Sequence, residues 1–209
     1  DHEVRILEAC GQSRRKQQLE DARLCLITDP GADDGCERLV QRVEAALQSG
    51  VSLVQYRRKH GSDGLRLQEA QQLAQLCHEH NALFIVNDRI DLALLVNADG
   101  VHLGQEDLPY REARRLLGSA KLIGRSTHKL AQLHEAQEQG ADYVGVGPVF
   151  ATATKADRQP AGLNWVKEAC ATAHIPWFAI GGITAKTLPE VREAGASRVA
   201  VVGAIMASE

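Results

Sequence analysis

Eight short apolar runs rich in β-branched residues recur from residue 24 onward: LCLITDP, LVQYRRK, LFIVND, GVHLGQ, LIGRST, YVGVGPVF, WFAIGGI and RVAVVGAI. Runs of this length, bounded by turn residues, predict buried strands. Between most of them lie amphipathic stretches with helical spacing. In CERLVQRVEAALQSG, Leu39, Val43, Ala46 and Leu47 share one face, and Gly50 stands where a helix C-cap residue belongs. In LRLQEAQQLAQLCHEH, Ala70, Leu73, Ala74 and Cys77 form a second such face, while TAKTLPEVREAG opens on Thr184 as an N-cap and closes on Gly195.

Alternating strands and helices joined by short loops force parallel strands through right-handed crossovers. Eight of them predict closure into a (β/α)8 TIM barrel, a single α/β domain over residues 24–209. An open doubly wound sheet is the alternative, weakened by the absence of a GxGxxG turn. Residues 1–23 read as a polar leader with helical turns: the tail of a preceding domain, a barrel cap or a disordered segment. The chain stops soon after the eighth run, so the expectation is a barrel lacking the usual final helix.

Composition narrows the chemistry. The 209 residues are 44% hydrophobic, enough for one well-buried domain, and contain no stretch able to span a bilayer. Lysine and arginine total 24 against 27 acids, a net charge of −3 that argues against a nucleic-acid protein working through a broad cationic face. Bound anions must therefore meet a local cluster of donors. The five cysteines are odd in number, scattered and free of CxxC pairs, so neither a disulfide framework nor a structural zinc site is signalled. Together with a charged N-terminal stretch that lacks an apolar core, this predicts a cytoplasmic protein. The oligomeric state is left open.

In such barrels chemistry gathers at the C-terminal ends of the strands. In LVQYRRK, Gln55, Arg57 and Lys59 share the parity of Leu53, so alternation sends an amide, a guanidinium and an ammonium toward one face, a ladder suited to a phosphate or diphosphate. A solvated strand end with ordinary basic residues is the plainer reading. The third and fourth runs lead to Asp88 and Asp107, which on neighbouring strands would share one hard cation such as Mg2+ or would simply cap the helices that follow; Asp91 and Glu106 lie close by as further oxygen donors. The fifth run ends in Ser126, Thr127 and His128 without a GxSxG elbow, so Ser126 reads as a hydrogen-bond donor and not a nucleophile. His78 and His80 point to different faces of a helix and make a poor metal site. Gly181, Gly182 and Gly203, after the last two strands, permit a phosphate to rest on backbone N–H groups.

Read in order, QYRRK, ND, HLGQED, STH, GPVFATATK, IGGI and VAVVGAI resemble the thiamine phosphate synthase family over nearly the whole chain after the leader. The resemblance implies a (β/α)8 barrel that joins hydroxymethylpyrimidine diphosphate to a thiazole phosphate, or its carboxylated form, releasing pyrophosphate. It assigns the pyrimidine diphosphate to Gln55, Tyr56, Arg57, Arg58, Lys59, Asn87, Ser126 and Lys155. Arg57, Lys59, Lys155 and Ser126 would carry the catalysis. The thiazole phosphate falls to Thr152, Ala153, Thr154, Gly182, Val202 and Gly203, and Mg2+ to Asp88 and Asp107. Two departures stand out: Gly203 replaces a frequent serine, and Arg125 replaces a small apolar residue. A thiazole tautomerase relative of the same fold, with His128 as the first residue to test, and a non-catalytic sensor of thiazole or thiamine phosphate are the rival readings.

Overall fold

The computed structural model describes residues 2–31, 35–152 and 159–206, with side chains from residue 9 onward. Its strands are β1 (Leu24–Ile27), β2 (Leu53–Tyr56), β3 (Leu83–Asn87), β4 (Gly100–Leu103), β5 (Leu122–Thr127), β6 (Tyr143–Val146), β7 (Trp177–Ile180) and β8 (Val199–Val201). The helices are α1 (His2–Asp21), α2 (Cys36–Gln48), α3 (Asp63–Glu79), α4 (Ile90–Leu95), α5 (Tyr110–Leu117), α6 (Leu130–Gln139), α7 (Gly162–Thr172), α8 (Leu188–Glu193) and α9 (Gly203–Met206). All eight predicted strands form, every neighbouring pair is parallel, and β1 pairs with β8, so the sheet closes in sequence order into a (β/α)8 barrel.

Strand alternation divides the apolar residues into two compartments. Val54, Phe84, Val101, Ile123, Val144 and Ala179 face outward and meet the helices, including the predicted faces Leu39, Val43, Ala46, Leu47 of α2 and Ala70, Leu73, Ala74, Cys77 of α3. A second cluster fills the barrel itself, with Leu53, Leu83 and Leu122 heading their strands and Tyr143 and Phe178 higher in the ring. Leu19 and Ala22, from the end of α1 and the residues after it, belong to this interior cluster. The leader helix thus closes the N-terminal end of the barrel.

Polar contacts hold α1 there. Arg15 Nε donates to Asp99 Oδ1 at 2.8 Å, Gln18 Nε2 to the Asn81 carbonyl at 2.9 Å, and Arg198 Nη2 to the Glu20 carbonyl at 2.9 Å. Asp99 Oδ2 also takes the Phe84 N–H at 3.0 Å and lies 3.1 Å from His78 Nε2. Burial opposes ionisation of Asp99, yet His78, the Phe84 N–H and Arg15 together hold its carboxyl below the ordinary aspartate value.

One helix boundary differs from expectation. α8 starts at Leu188 with Thr187 at the N-cap position, because Thr184 and Thr187 bond each other in a turn (Thr184 N–H to Thr187 Oγ1, 2.9 Å) that occupies the predicted first residues. Local side-chain to backbone bonding here competes with the helix, as threonine readily does. Gly195 does terminate the unit, with φ 108°.

Candidate active site

A cavity of about 430 Å3 opens at the C-terminal ends of the strands. Its size lies within the range usual for small-molecule sites. Gln55, Arg57, Asn87 and Ser126 line it from β2, β3 and β5, and Thr152, Gly182, Val202 and Gly203 line it from the segments after β6, β7 and β8. Eight of the residues singled out in the sequence therefore meet in one space, divided between two arcs of the ring.

The alternation along β2 sorts its four polar residues. Gln55 is buried on the interior face, and Arg57 follows it toward the mouth. Arg57 Nη1 donates to Asp29 Oδ1 at 2.6 Å, and its backbone N–H bonds Thr28 Oγ1 at 2.9 Å while its carbonyl accepts from the same hydroxyl. Residues at the end of β1 therefore fix both the backbone and the head group of Arg57. Tyr56 and Arg58 turn the other way, away from the cavity. Tyr56 Oη donates to Glu69 Oε2 at 2.7 Å, and Arg58 holds the same carboxylate with Nε at 2.8 Å and Nη2 at 2.9 Å. Both side chains of the Arg58–Glu69 pair are essentially sealed from water, 1% and 0% exposed. The side chains of Tyr56 and Arg58, which the resemblance assigns to the pyrimidine diphosphate, thus turn from the cavity to the helix layer, as their opposite parity on the strand dictates. Burial, and then the Glu69 carboxylate, raise the Tyr56 phenol above its usual pKa, so it stays a donor. Lys59 lies on the surface just beyond β2, where its carbonyl accepts from Arg66 Nη2 at 3.2 Å.

Asp88 and Asp107 follow adjacent strands. Asp88 is exposed and left-handed at φ 64°, and its N–H bonds the His102 carbonyl at 2.9 Å, which extends the β3–β4 ladder one residue past β3. Asp107 Oδ2 accepts the Gly104 N–H at 2.6 Å and shapes the loop after β4. Neither caps the next helix: the N-cap positions of α4 and α5 are Arg89 and Pro109. Asp91 is committed elsewhere, with Arg89 bonding both its oxygens at 2.8 and 2.6 Å and lowering its pKa to about 2. Among the described residues no group of three or more His, Cys, Asp or Glu side chains forms a metal cage. Asp88 and Asp107, carboxylates that follow neighbouring strands, have the donor chemistry that suits Mg2+, which takes one or two protein oxygens and completes its shell with phosphate and water.

Ser126 belongs to a buried polar chain that sequence reasoning missed. Its Oγ lies 2.9 Å from His102 Nε2, and His102 Nδ1 lies 3.1 Å from Tyr143 Oη. The His102 and Tyr143 rings are tilted at 5.4 Å between centroids, and Tyr143 meets Phe178 edge to face at 5.9 Å. A Cβ at position 124 would collide with the Tyr143 ring, so Gly124 makes room for it. The available signal was parity: His102 shares the register of Asn87 and Gly124 on adjacent strands.

Arg125 sits outside the cavity. It is buried, and its Nη1 donates to the Gly104 carbonyl at 3.0 Å, so its bulk braces the loop after β4 and leaves the pocket floor alone. His128 does line the cavity, with Nδ1–H bonded to the Gly147 carbonyl at 2.5 Å. Gly181 and Gly182 have φ of 105° and 64°, and a Cβ at position 182 would lie 2.6 Å from the Ala151 carbonyl oxygen. The loop after β6 therefore packs directly on the loop after β7, which brings Thr152 beside Gly182. Ala153, Thr154 and Lys155 lie outside the described residues.

Comparison with known proteins adds an independent line. The profile of a family described as thiamine monophosphate synthase matches residues 24–205. A thiamine-phosphate synthase from Synechococcus sp. (strain WH7803) is 95% identical over all 209 residues, which make up 59% of that relative. One from Prochlorococcus marinus (strain MIT 9313) is 57% identical over the same span, again 59% of its length. The chain thus spans less than two thirds of these relatives. A solved thiamine phosphate pyrophosphorylase from Pyrococcus furiosus superposes with a TM-score of 0.81 at 36% identity, covering 94% of this chain and 91% of that one. A 3-hexulose-6-phosphate synthase shares the fold alone, at 16% identity and a TM-score of 0.63.

Proposed function

We propose a transferase reaction for this chain, which belongs to the thiamine monophosphate synthase family: the joining of hydroxymethylpyrimidine diphosphate to a thiazole phosphate, giving thiamine phosphate and pyrophosphate. The observation that carries the reading is one cavity with two arcs of different chemistry. Gln55, Arg57, Asn87 and Ser126 present amide, guanidinium and hydroxyl groups, whereas Thr152, Gly182, Val202 and Gly203 present mostly backbone and a hydroxyl. The first arc suits a polyanion attached to a nitrogen heterocycle. The second suits a single phosphate held by main-chain N–H groups after the last two strands.

The reaction asks little of the protein in proton transfer. Charge must leave with the pyrophosphate as the methylene carbon–oxygen bond breaks, and the thiazole nitrogen must wait at that carbon. Arg57, oriented by Asp29, faces the departing charge, with Lys59 and Lys155 assigned beside it from the resemblance. Unit charges about 4 Å apart interact by roughly 4 kcal/mol at an effective dielectric of 20, so preorganised cations lower such a barrier substantially. Asp88 and Asp107 would hold Mg2+, which neutralises diphosphate charge when bound. Ser126 and Asn87 position the pyrimidine diphosphate, and the wall of the loops after β6, β7 and β8 positions its partner, so proximity supplies much of the rest. The reaction belongs in the cytoplasm. No helix among the described residues is long and apolar enough to cross a membrane.

The decisive experiment incubates the chain with both substrates and Mg2+ and measures pyrophosphate and thiamine phosphate. Equal release of the two products is expected. Binding of the ligands without Mg2+-dependent turnover would instead make the protein a sensor.

A further inference from the structure

We infer that His102 and Tyr143 are positioning residues that fix the direction of the Ser126 hydroxyl, through a one-way hydrogen-bond relay running along the cavity wall from Tyr143 to Ser126. The inference rests on the assignment of Ser126 to the pyrimidine diphosphate and deepens it. Three side chains are linked in order: Tyr143 Oη lies 3.1 Å from His102 Nδ1, and His102 Nε2 lies 2.9 Å from Ser126 Oγ. Tyr143 and His102 are 2% and 8% exposed, so little water competes for their hydrogen bonds.

The donor and acceptor inventory sets the polarity. Among the described residues His102 Nδ1 is the one hydrogen-bond partner of the buried Tyr143 hydroxyl, so the phenol has no other acceptor for its proton. Burial, the first cause of the upward shift of Tyr143, keeps the phenol protonated. Its O–H then donates to His102 Nδ1. A neutral imidazole that accepts at Nδ1 carries its proton on Nε2, which donates to Ser126 Oγ. The serine oxygen is thereby occupied as an acceptor, and its own proton is turned into the cavity. The Ser126 carbonyl is fixed as well, accepting Gln105 Nε2 at 2.6 Å. A serine left to itself would rotate among acceptors. Here an entering anion meets a hydroxyl already aimed as a donor, which spares the ordering cost that a free rotor would pay on binding.

Two measurements test this. Two-bond 15N–1H correlation spectra of the full chain, without substrate, report the His102 tautomer: neutral Nε2–H is expected, with mixed tautomers in Tyr143→Phe. An Nδ1–H wild type overturns the relay whether or not the protein is a synthase. The second is kinetic. His102→Asn loses the donor at the Nε2 position and lowers kcat/KM for the pyrimidine diphosphate on the order of tenfold, with the KM for thiazole phosphate unchanged. His102→Gln, whose amide reaches the Nε2 position, restores most of it. In a Ser126→Ala background His102→Asn has no further effect; an undiminished loss there, or no rescue by Gln, refutes the relay. Should His102→Asn not fold by its thermal transition, Tyr143→Phe replaces it in the same cycle. Wild-type inactivity would sink the synthase reading while the spectra still decide the relay.

Discussion

At the N-terminal end of the barrel, Asp99 is ringed by Arg15, His78 and the Phe84 N–H, with α1 laid over the opening and Leu19 filling it. At the C-terminal end, Arg57 has a single carboxylate partner among the described residues, Asp29, and a cavity of about 430 Å3 lies beside it. The same kinds of residue serve stability below and, on the function proposed, chemistry above, and the difference is whether neighbouring groups use up their hydrogen-bonding capacity. β2 shows the contrast within two residues. Arg58 spends its guanidinium on Glu69 in the helix layer, whereas Arg57 keeps an edge toward the cavity.

The sharpest way to break this contrast is Glu69→Ala, which leaves the Arg58 guanidinium buried without its carboxylate. A loss of about 4 kcal/mol in unfolding free energy is expected in denaturant titration, with substrate KM values unchanged in the fraction that remains folded. A fall in affinity for the pyrimidine diphosphate at full stability would place Arg58 with the mouth after all. Arg57→Ala should do the reverse. Turnover falls by about 3 kcal/mol in barrier, the loss of one preorganised donor, while stability shifts by less than about 1 kcal/mol because Asp29 remains in contact with water. Steady-state kinetics beside a melting curve on the same sample separate the two.

Leu19→Ala opens the floor. It should cost roughly 2.5 kcal/mol, at the low end for a buried leucine since α1 can settle, and leave kcat within about twofold. The smallest effect is a pH dependence. Asp99 is held below its unfolded value, so its contribution is fully present above the unfolded pKa of about 3.9 and is lost as pH falls through the lower folded value. Thermal unfolding between neutral pH and pH 3 should show this acid loss in the wild type and a shallower one in Asp99→Asn. Equal slopes would remove Asp99 from the account of how α1 is held.

Most of the barrel was legible in the chain because period-two and helical apolar patterns are local properties, set by which side of an element a residue occupies. The eight runs became eight strands, and the faces of α2 and α3 came out residue for residue. Parity also separated Gln55 and Arg57 from Tyr56 and Arg58, although the resemblance by itself had grouped all four. The start of α8 was missed because the bond between Thr184 and Thr187 competes with the helix over three residues, below the length at which periodicity speaks.

What the sequence determined by itself is the element order, the inward or outward facing of each strand residue, and the strand ends at which polar groups collect. Those follow from the 180° and 100° advance of successive side chains. Only the closed ring decided the rest. Bringing β8 against β1 puts Gly203 and Arg57 on the wall of one cavity, laying Leu19 over the floor ties the leader to the interior, and stacking the inward positions joins Tyr143, His102 and Ser126 into one chain. These groups come from positions up to 41 residues apart (His102 and Tyr143), and no local pattern encodes which distant neighbour completes a buried hydrogen bond; the need to satisfy every polar group within the packed interior does.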